Sequence, residues 1–287
     1  MRMSKKPRVI NPETGEDLSY EYTLRHRKQD EYYLRKQMIE RASEERSQKR
    51  YVNCYHDPIK VITQKLKLNE LGALIKLIPY LQFNGNGLLE TNGKPMTISD
   101  IAKVIGKSVR MTKSIVANLV NEGVIIKEGE RKGVKYFIAE KFHTIGYTLE
   151  GQAFTKLYQR ETRLRADKLT IQEAGLLYKM IPYFHYQTYF LCANPDADED
   201  KEDLIHLNQA QLADLINEDR ENVKKLVNSL IFKGFVMKIS SYNNSRIIVN
   251  PDIMFRAEYE TEYTGVVRKQ FRELAKRDDK LSRKILH

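Results

Sequence analysis

Ser108, Arg110, Thr112, Lys113 and Asn118 recur at spacings that set polar groups on the open side of a short helix, with Met111, Ile115 and Leu119 turned inward. A guanidinium offers a planar two-pronged donor and an ammonium a point charge, so such a cluster holds oxyanions and base edges without transforming them. Arg131, Lys132 and Lys135 add a second basic group in the glycine-containing turn that follows. Further along, Arg220, Asn222, Lys224, Lys225 and Asn228 are followed by Asn243, Asn244 and Arg246 in the same order. There Glu218, Asp219 and Glu221 surround Arg220 and would repel phosphate, unless Asp219 serves only as a helix cap.

Signatures of covalent chemistry are missing from the sequence. No glycine-rich loop ends in Gly-Lys-Ser/Thr, and Asn84-Gly85-Asn86-Gly87 reads as a turn. The six histidines are scattered, with neither a His-x-His pair for a metal-dependent nickase nor a His-x-x-Arg for a recombinase, so the 17 tyrosines do not point to a covalent DNA enzyme. Cys54 and Cys192 lack the paired spacing of a zinc site or a disulfide framework and read as buried thiols in a reducing cytosol. No enzyme, no metal and no cofactor are expected.

Charge tells where binding should occur. Over 287 residues the formal charge is +11, with 30% charged and 41% hydrophobic residues. Residues 51–148 carry +6, whereas 169–258 carry −4, mostly through six carboxylates between Asp196 and Asp203. One half is basic, as a phosphate-binding surface must be, and the other is not. No apolar run approaches the roughly 18–20 residues that span a bilayer, and the basic N-terminus lacks a signal peptide's apolar segment. A cytoplasmic protein of a bacterial or phage-infected cell, with no membrane partner, is expected.

These clusters are positioned by a repeat. Leu68–Leu81 aligns with Ile171–Phe184, and seven of the fourteen columns are identical: Glu, Gly, Leu, Lys, Ile, Pro and Tyr. In the first copy Leu68, Leu71, Leu74, Ile75 and Ile78 fall at helical spacing, Asn69 can cap or lead the helix, and Pro79 should end it. Thr97 caps a second helix that Gly106 breaks; Ser108 caps a third that Gly123 closes. Strands at Val124–Lys127 and Val134–Ile138 then make a hairpin. The second copy substitutes Asn208, Asp219 and Gly234 at the caps and predicts strands Phe235–Ser240 and Arg246–Val249.

Three helices and a hairpin in this order predict a mainly α chain with small β wings (α+β), built as two tandem winged helix-turn-helix domains. The expected divisions are a charged extension over 1–50 with a helix from 28, domains over 51–148 and 169–258, a helical connector over 149–168, and a C-terminal helix over 259–287. In that last helix Val267, Phe271, Leu274, Leu281 and Ile285 form a seam. It either pairs two chains through residues 266–285 or packs on its own second domain.

Tyr51-Val52-Asn53-Cys54-Tyr55-His56, the helix ending Leu77-Ile78-Pro79-Tyr80-Leu81, Asn92–Ala102 and Leu119-Val120-Asn121-Glu122-Gly123 before a wing form a pattern. It resembles the winged-helix replication proteins of Gram-positive plasmids and phages, the RepL-type initiators, and phage regulators of the same build. Asn11–Glu16 and the closing Ile247–Ile253 are similar to segments of that group. The resemblance implies origin or operator binding to double-stranded DNA without catalysis. An initiator would receive host replication proteins, a transcription regulator would meet polymerase, and a winged-helix scaffold would bind protein alone.

Overall fold

The computed structural model describes residues 8–19, 32, 33, 36, 50–130, 133–198, 202–241 and 244–285; at 241, 244 and 275–285 it describes the backbone. Met1–Gln48 form one compact unit and Lys49–His287 another. In the first, Ile10 bridges Asp17 across a turn in which Asn11 Oδ1 accepts from the Glu13 amide at 2.9 Å. The charged helix expected from residue 28 lies, except for Tyr32, Tyr33, Lys36 and Arg50, outside the described residues.

The second unit is mixed α+β. Strand β1 (Tyr51–Tyr55) leads into α1 (His56–Thr63) and the buried helix α2 (Leu68–Leu77). Pro79 has no amide hydrogen to continue the ladder, so the chain tightens into a 3-10 turn over Ile78–Tyr80. Leu68 itself starts α2, and Lys67, not Asn69, holds the cap position. Strands β2 (Glu90–Thr91) and β3 (Lys94–Pro95) pair around Asn92-Gly93. Thr97 caps α3 (Ile98–Ile105) in a reciprocal box with Asp100, and Ser108 caps α4 (Val109–Asn121). Gly123 adopts φ 65°, a left-handed turn that frees the chain to enter β4 (Ile125–Glu128), which pairs with β5 (Lys135–Ile138).

After β6 (His143–Thr144) the same order returns. Residues 149–168, expected as a helical connector, begin with strand β7 (Phe154–Tyr158) and only then form α5 (Gln159–Ala166). Helix α6 (Ile171–Met180) is buried and ends in a 3-10 turn at Pro182. Asn208 and Asp219 cap α7 (Gln209–Leu215) and α8 (Arg220–Phe232). The hairpin β8 (Val236–Ser241) and β9 (Asn244–Val249) follows, then β10 (Met254–Phe255) and α9 (Glu262–Ile285).

The two halves join through a centre with approximate twofold symmetry. The sheet order is β10-β7-β1-β6; its middle strands run antiparallel, with Tyr51 opposite Tyr158, Asn53 opposite Lys156 and Tyr55 opposite Phe154. Helices α2 and α6 pack against each other beneath it. A Cβ on Gly72 would strike the Ile171 carbonyl, and one on Gly175 would strike the Leu68 carbonyl, which is the same contact made twice. Glycine at both columns is therefore what lets two helix backbones touch. A single cluster of buried apolar residues runs through both halves.

Helix α9 docks by its first turns on the unit it belongs to. Thr264, Val267 and Phe271 are buried there, while Leu274 is exposed. Arg268 braces the docking through Glu260 at 2.7 Å and Asp252 at 2.6 Å. The later part of the apolar seam has its side chains outside the described residues.

Candidate nucleic-acid interface

Each central helix carries its own capped helix: α2 supports α3 and α4, and α6 supports α8. One glutamate per copy makes the joint. Asn118 Nδ2 donates to Glu70 Oε1 at 2.9 Å; in the second copy Ser229 Oγ donates to Glu173 Oε1 at 2.5 Å and Lys233 Nζ reaches Glu173 Oε2 at 2.6 Å. Burial pushes the Glu173 carboxyl up, but Lys233, Ser229 and the Thr170 cap outweigh it and hold it below its ordinary value. Among the described residues Glu70 has no such cation, and its Oε2 has no hydrogen-bond partner.

On the first copy Arg110 and Lys113 stand exposed near the start of α4, with Lys103 exposed on α3 and Lys107 half-buried in the turn between them. No ion pair engages any of these four among the described residues. Lys135 is exposed at the start of the hairpin's return strand. Arg131 and Lys132 lie outside the described residues. The Ser108 hydroxyl accepts from the Met111 amide at 3.3 Å, so it serves as a cap. Asn118 is exposed on the same helix, although its amide nitrogen is spent on Glu70.

Two side chains differ from expectation. Thr112 is fully buried, its hydroxyl donating to the Ser108 carbonyl at 2.9 Å, while Met111 is 48% exposed. The inward stripe is Thr112, Ile115, Val116 and Leu119, one position on from the expected one at its start. A buried threonine is stable here because its hydroxyl is satisfied by its own helix. The second copy held the signal: Thr112 aligns with Val223, which is buried, and Met111 aligns with Asn222. Val109 is also exposed, so α4 offers apolar groups beside its cations, suited to a thymine methyl.

The second copy reverses the charge at three of these four columns and keeps lysine, as Lys224, in that of Lys113. Asp214 stands in the column of Lys103, Glu218 in that of Lys107 and Glu221 in that of Arg110. Arg220 gives both prongs to Asp214, at 2.7 and 2.6 Å, and that hydrogen bonding holds the Asp214 carboxyl below its ordinary range. Glu218 pairs with the buried Lys179 at 2.7 Å, and Lys224 lies 3.7 Å from Glu221. Lys225 is exposed, and Asn222 is half-buried. The exposed Asn228 accepts from Gln209 at 3.0 Å, and the guanidinium of Arg246 sits 5.7 Å from the Phe190 ring centre. Asn243 lies outside the described residues, as does the side chain of Asn244.

Among the described residues no three or more His, Cys, Asp or Glu side chains gather to hold a metal ion. Cys54 and Cys192 are buried free thiols, and burial raises the Cys54 thiol far above its ordinary value. His56 and His143 are buried too, and desolvation lowers each to about 3. His143 Nε2 meets the Tyr178 hydroxyl at 2.8 Å, which ties the sheet of the first copy to α6 of the second. No described helix is long and apolar enough to cross a membrane. Compared with protein-family models, with curated proteins and with solved structures, the chain finds no match.

Proposed function

We propose that the chain is a non-catalytic, sequence-specific double-stranded DNA-binding protein built as tandem winged helix-turn-helix modules. In this reading α4 enters the major groove, Arg110 addresses a guanine edge, and Lys103, Lys107 and Lys113 hold phosphates. The β4–β5 hairpin acts as the wing, with Lys135 on the flanking backbone. The carrying observation is a charge reversal at three of four columns: the first module has Lys103, Lys107, Arg110 and Lys113, exposed or half-buried and without carboxylate partners among the described residues, where the second has three carboxylates and keeps only Lys224. Stability alone gives no reason to gather like charges, but a polyanionic partner does. The second module shares the scaffold and adds weaker contacts of its own.

The resemblance to RepL-type initiators makes an origin on a plasmid or phage the expected target. Selection of bound fragments from genomic DNA tests both levels of the reading. Enrichment of repeats at an origin supports initiation, and enrichment at promoters replaces it with regulation. No enrichment at all, with no binding to duplex pools in dilute buffer, removes the DNA-binding reading.

A further inference from the structure

An open cleft of about 630 Å³, sharing no residue with the basic helix, lies between the Tyr186–Tyr189 turn and residues 257–263, where the chain enters α9. Four tyrosines line it: Tyr186, Tyr189, Tyr259 and Tyr263. Its wall is held rigidly. Tyr189 is a non-glycine residue at φ 62°, a conformation that persists only where its surroundings impose it. Its hydroxyl meets Thr264 Oγ1 at 2.7 Å, and its ring stacks on Tyr263 with centroids 6.2 Å apart.

The charge around this cleft is opposite to that of the protein as a whole. Glu258 lines it, and Glu260 and Glu262 follow within four residues. The nearby cations are committed: Arg268 to Glu260 and Asp252, Arg256 to Asp196 and to the Phe184 and Pro195 carbonyls, and Lys156 to the Ala257 carbonyl at 2.9 Å, over the Tyr51 and Phe255 rings. Glu258 is exposed and has no ion-pair partner among the described residues. Aromatic rings beside an uncommitted carboxylate attract an organic cation through the ring quadrupole and through charge. The same carboxylates repel a phosphate backbone, which argues against stacked nucleobases.

We propose that this cleft takes the cationic side chain of a partner polypeptide, an arginine or lysine in a basic peptide, with Glu258 as counter-ion and Tyr259 as an aromatic wall. The protein would thereby hold a basic partner at a site separate from α4. The proposal stands independently of the DNA-binding reading.

The test is calorimetric titration of the full chain with acetyl-Ala-Arg-Ala-amide and with its citrulline counterpart, which keeps the shape and removes the charge. The arginine peptide is expected to bind about fivefold or more tightly than the citrulline one. Glu258→Gln and, separately, Tyr259→Ala should each weaken it by a similar factor. Both side chains are exposed, so both variants should fold, and their affinity for duplex DNA should match that of the parent chain. Equal affinity for the two peptides, no binding of either, or indifference to Glu258→Gln overturns the proposal. Displacement of the peptide by oligothymidine in a Tyr259-dependent way also overturns it, in favour of single-stranded nucleic acid.

Discussion

Replacing Gly72 by alanine tests the symmetric centre directly. The new Cβ would lie 2.8 Å from the Ile171 carbonyl carbon and 3.0 Å from the Gly175 nitrogen, both backbone atoms that no rotamer change can move. Carbon contacts normally sit at about 3.5–4.0 Å and the Ile171 carbonyl oxygen is nearer still, so the helix axes must part by about 1 Å or more, and a gap of that size forfeits about a quarter to a half of each contact's attraction, or more. Forced overpacking costs about 1–3 kcal/mol and occasionally more. Alanine's better helix propensity returns about 1 kcal/mol. With backbone on backbone the cost belongs at or above the top of its range, leaving a net loss of about 2–3 kcal/mol. At a slope of about 2 kcal/mol per molar, the urea midpoint should fall by roughly 1 M. Gly265 is the control: it lies in α9 with nothing within 4 Å of an added Cβ, so Gly265→Ala should raise the midpoint slightly. If Gly72→Ala unfolds at or above the parent's midpoint while Gly265→Ala behaves as stated, close approach at Gly72 is not what the centre depends on.

Replacing Arg110 and Lys113 together by alanine should weaken DNA binding more than replacing Arg220 and Lys224, and equal losses in a salt-controlled assay would reject the ranking. Asp214→Asn, by releasing Arg220, should steepen the dependence of log K on log salt by about 1 if the second module lies against phosphate; an unchanged slope would take that module off the DNA. Both buried histidines titrate near 3 in the folded chain and near 6.5 when unfolded. The unfolded state therefore binds more protons between those values, and stability complete above pH 6.5 falls on acidification, by up to about 1.4 kcal/mol per pH unit for each histidine. Urea midpoints at pH 7, 6 and 5 measure the slope, which His143→Gln should flatten. Phe271→Ala should destabilise the unit by about 3 kcal/mol at every protein concentration, because the ring is buried against its own chain; a concentration-dependent loss would show that two chains share it.

Elements governed by neighbours in sequence were legible in advance. The helix stops at Pro79 and Pro182, the caps at Thr97, Ser108, Asn208 and Asp219, and the two hairpins all follow from local chemistry. The pairing of β1 with β7 was not, because two five-residue strands a hundred positions apart carry no turn between them. A trace existed: the offset of 103 that aligns Leu68 with Ile171 also aligns Tyr55 with Tyr158, Lys65 with Lys168 and Leu66 with Leu169. The repeat thus begins at β1 and β7, and the stretch read as a linker belongs to the second copy. At the candidate interface the cations were readable by type, but the phase of α4 was not readable from the first copy alone, since methionine and threonine fit either side of a helix; Val223 in the column of Thr112 carried it. The pairing of Arg220 with Asp214 joins two neighbouring helices across a turn, which no sequence spacing marks.

The strand pairing at the centre has a consequence for synthesis. When Tyr51–Tyr55 leaves the ribosome, its partner strand is a hundred codons from being made, and α2 must wait for α6 to cover its apolar surface. Neither copy can reach its final form alone, so the nascent first copy keeps apolar surface exposed until the second is made, and a chain cut near residue 150 should yield pieces that regain structure only when mixed.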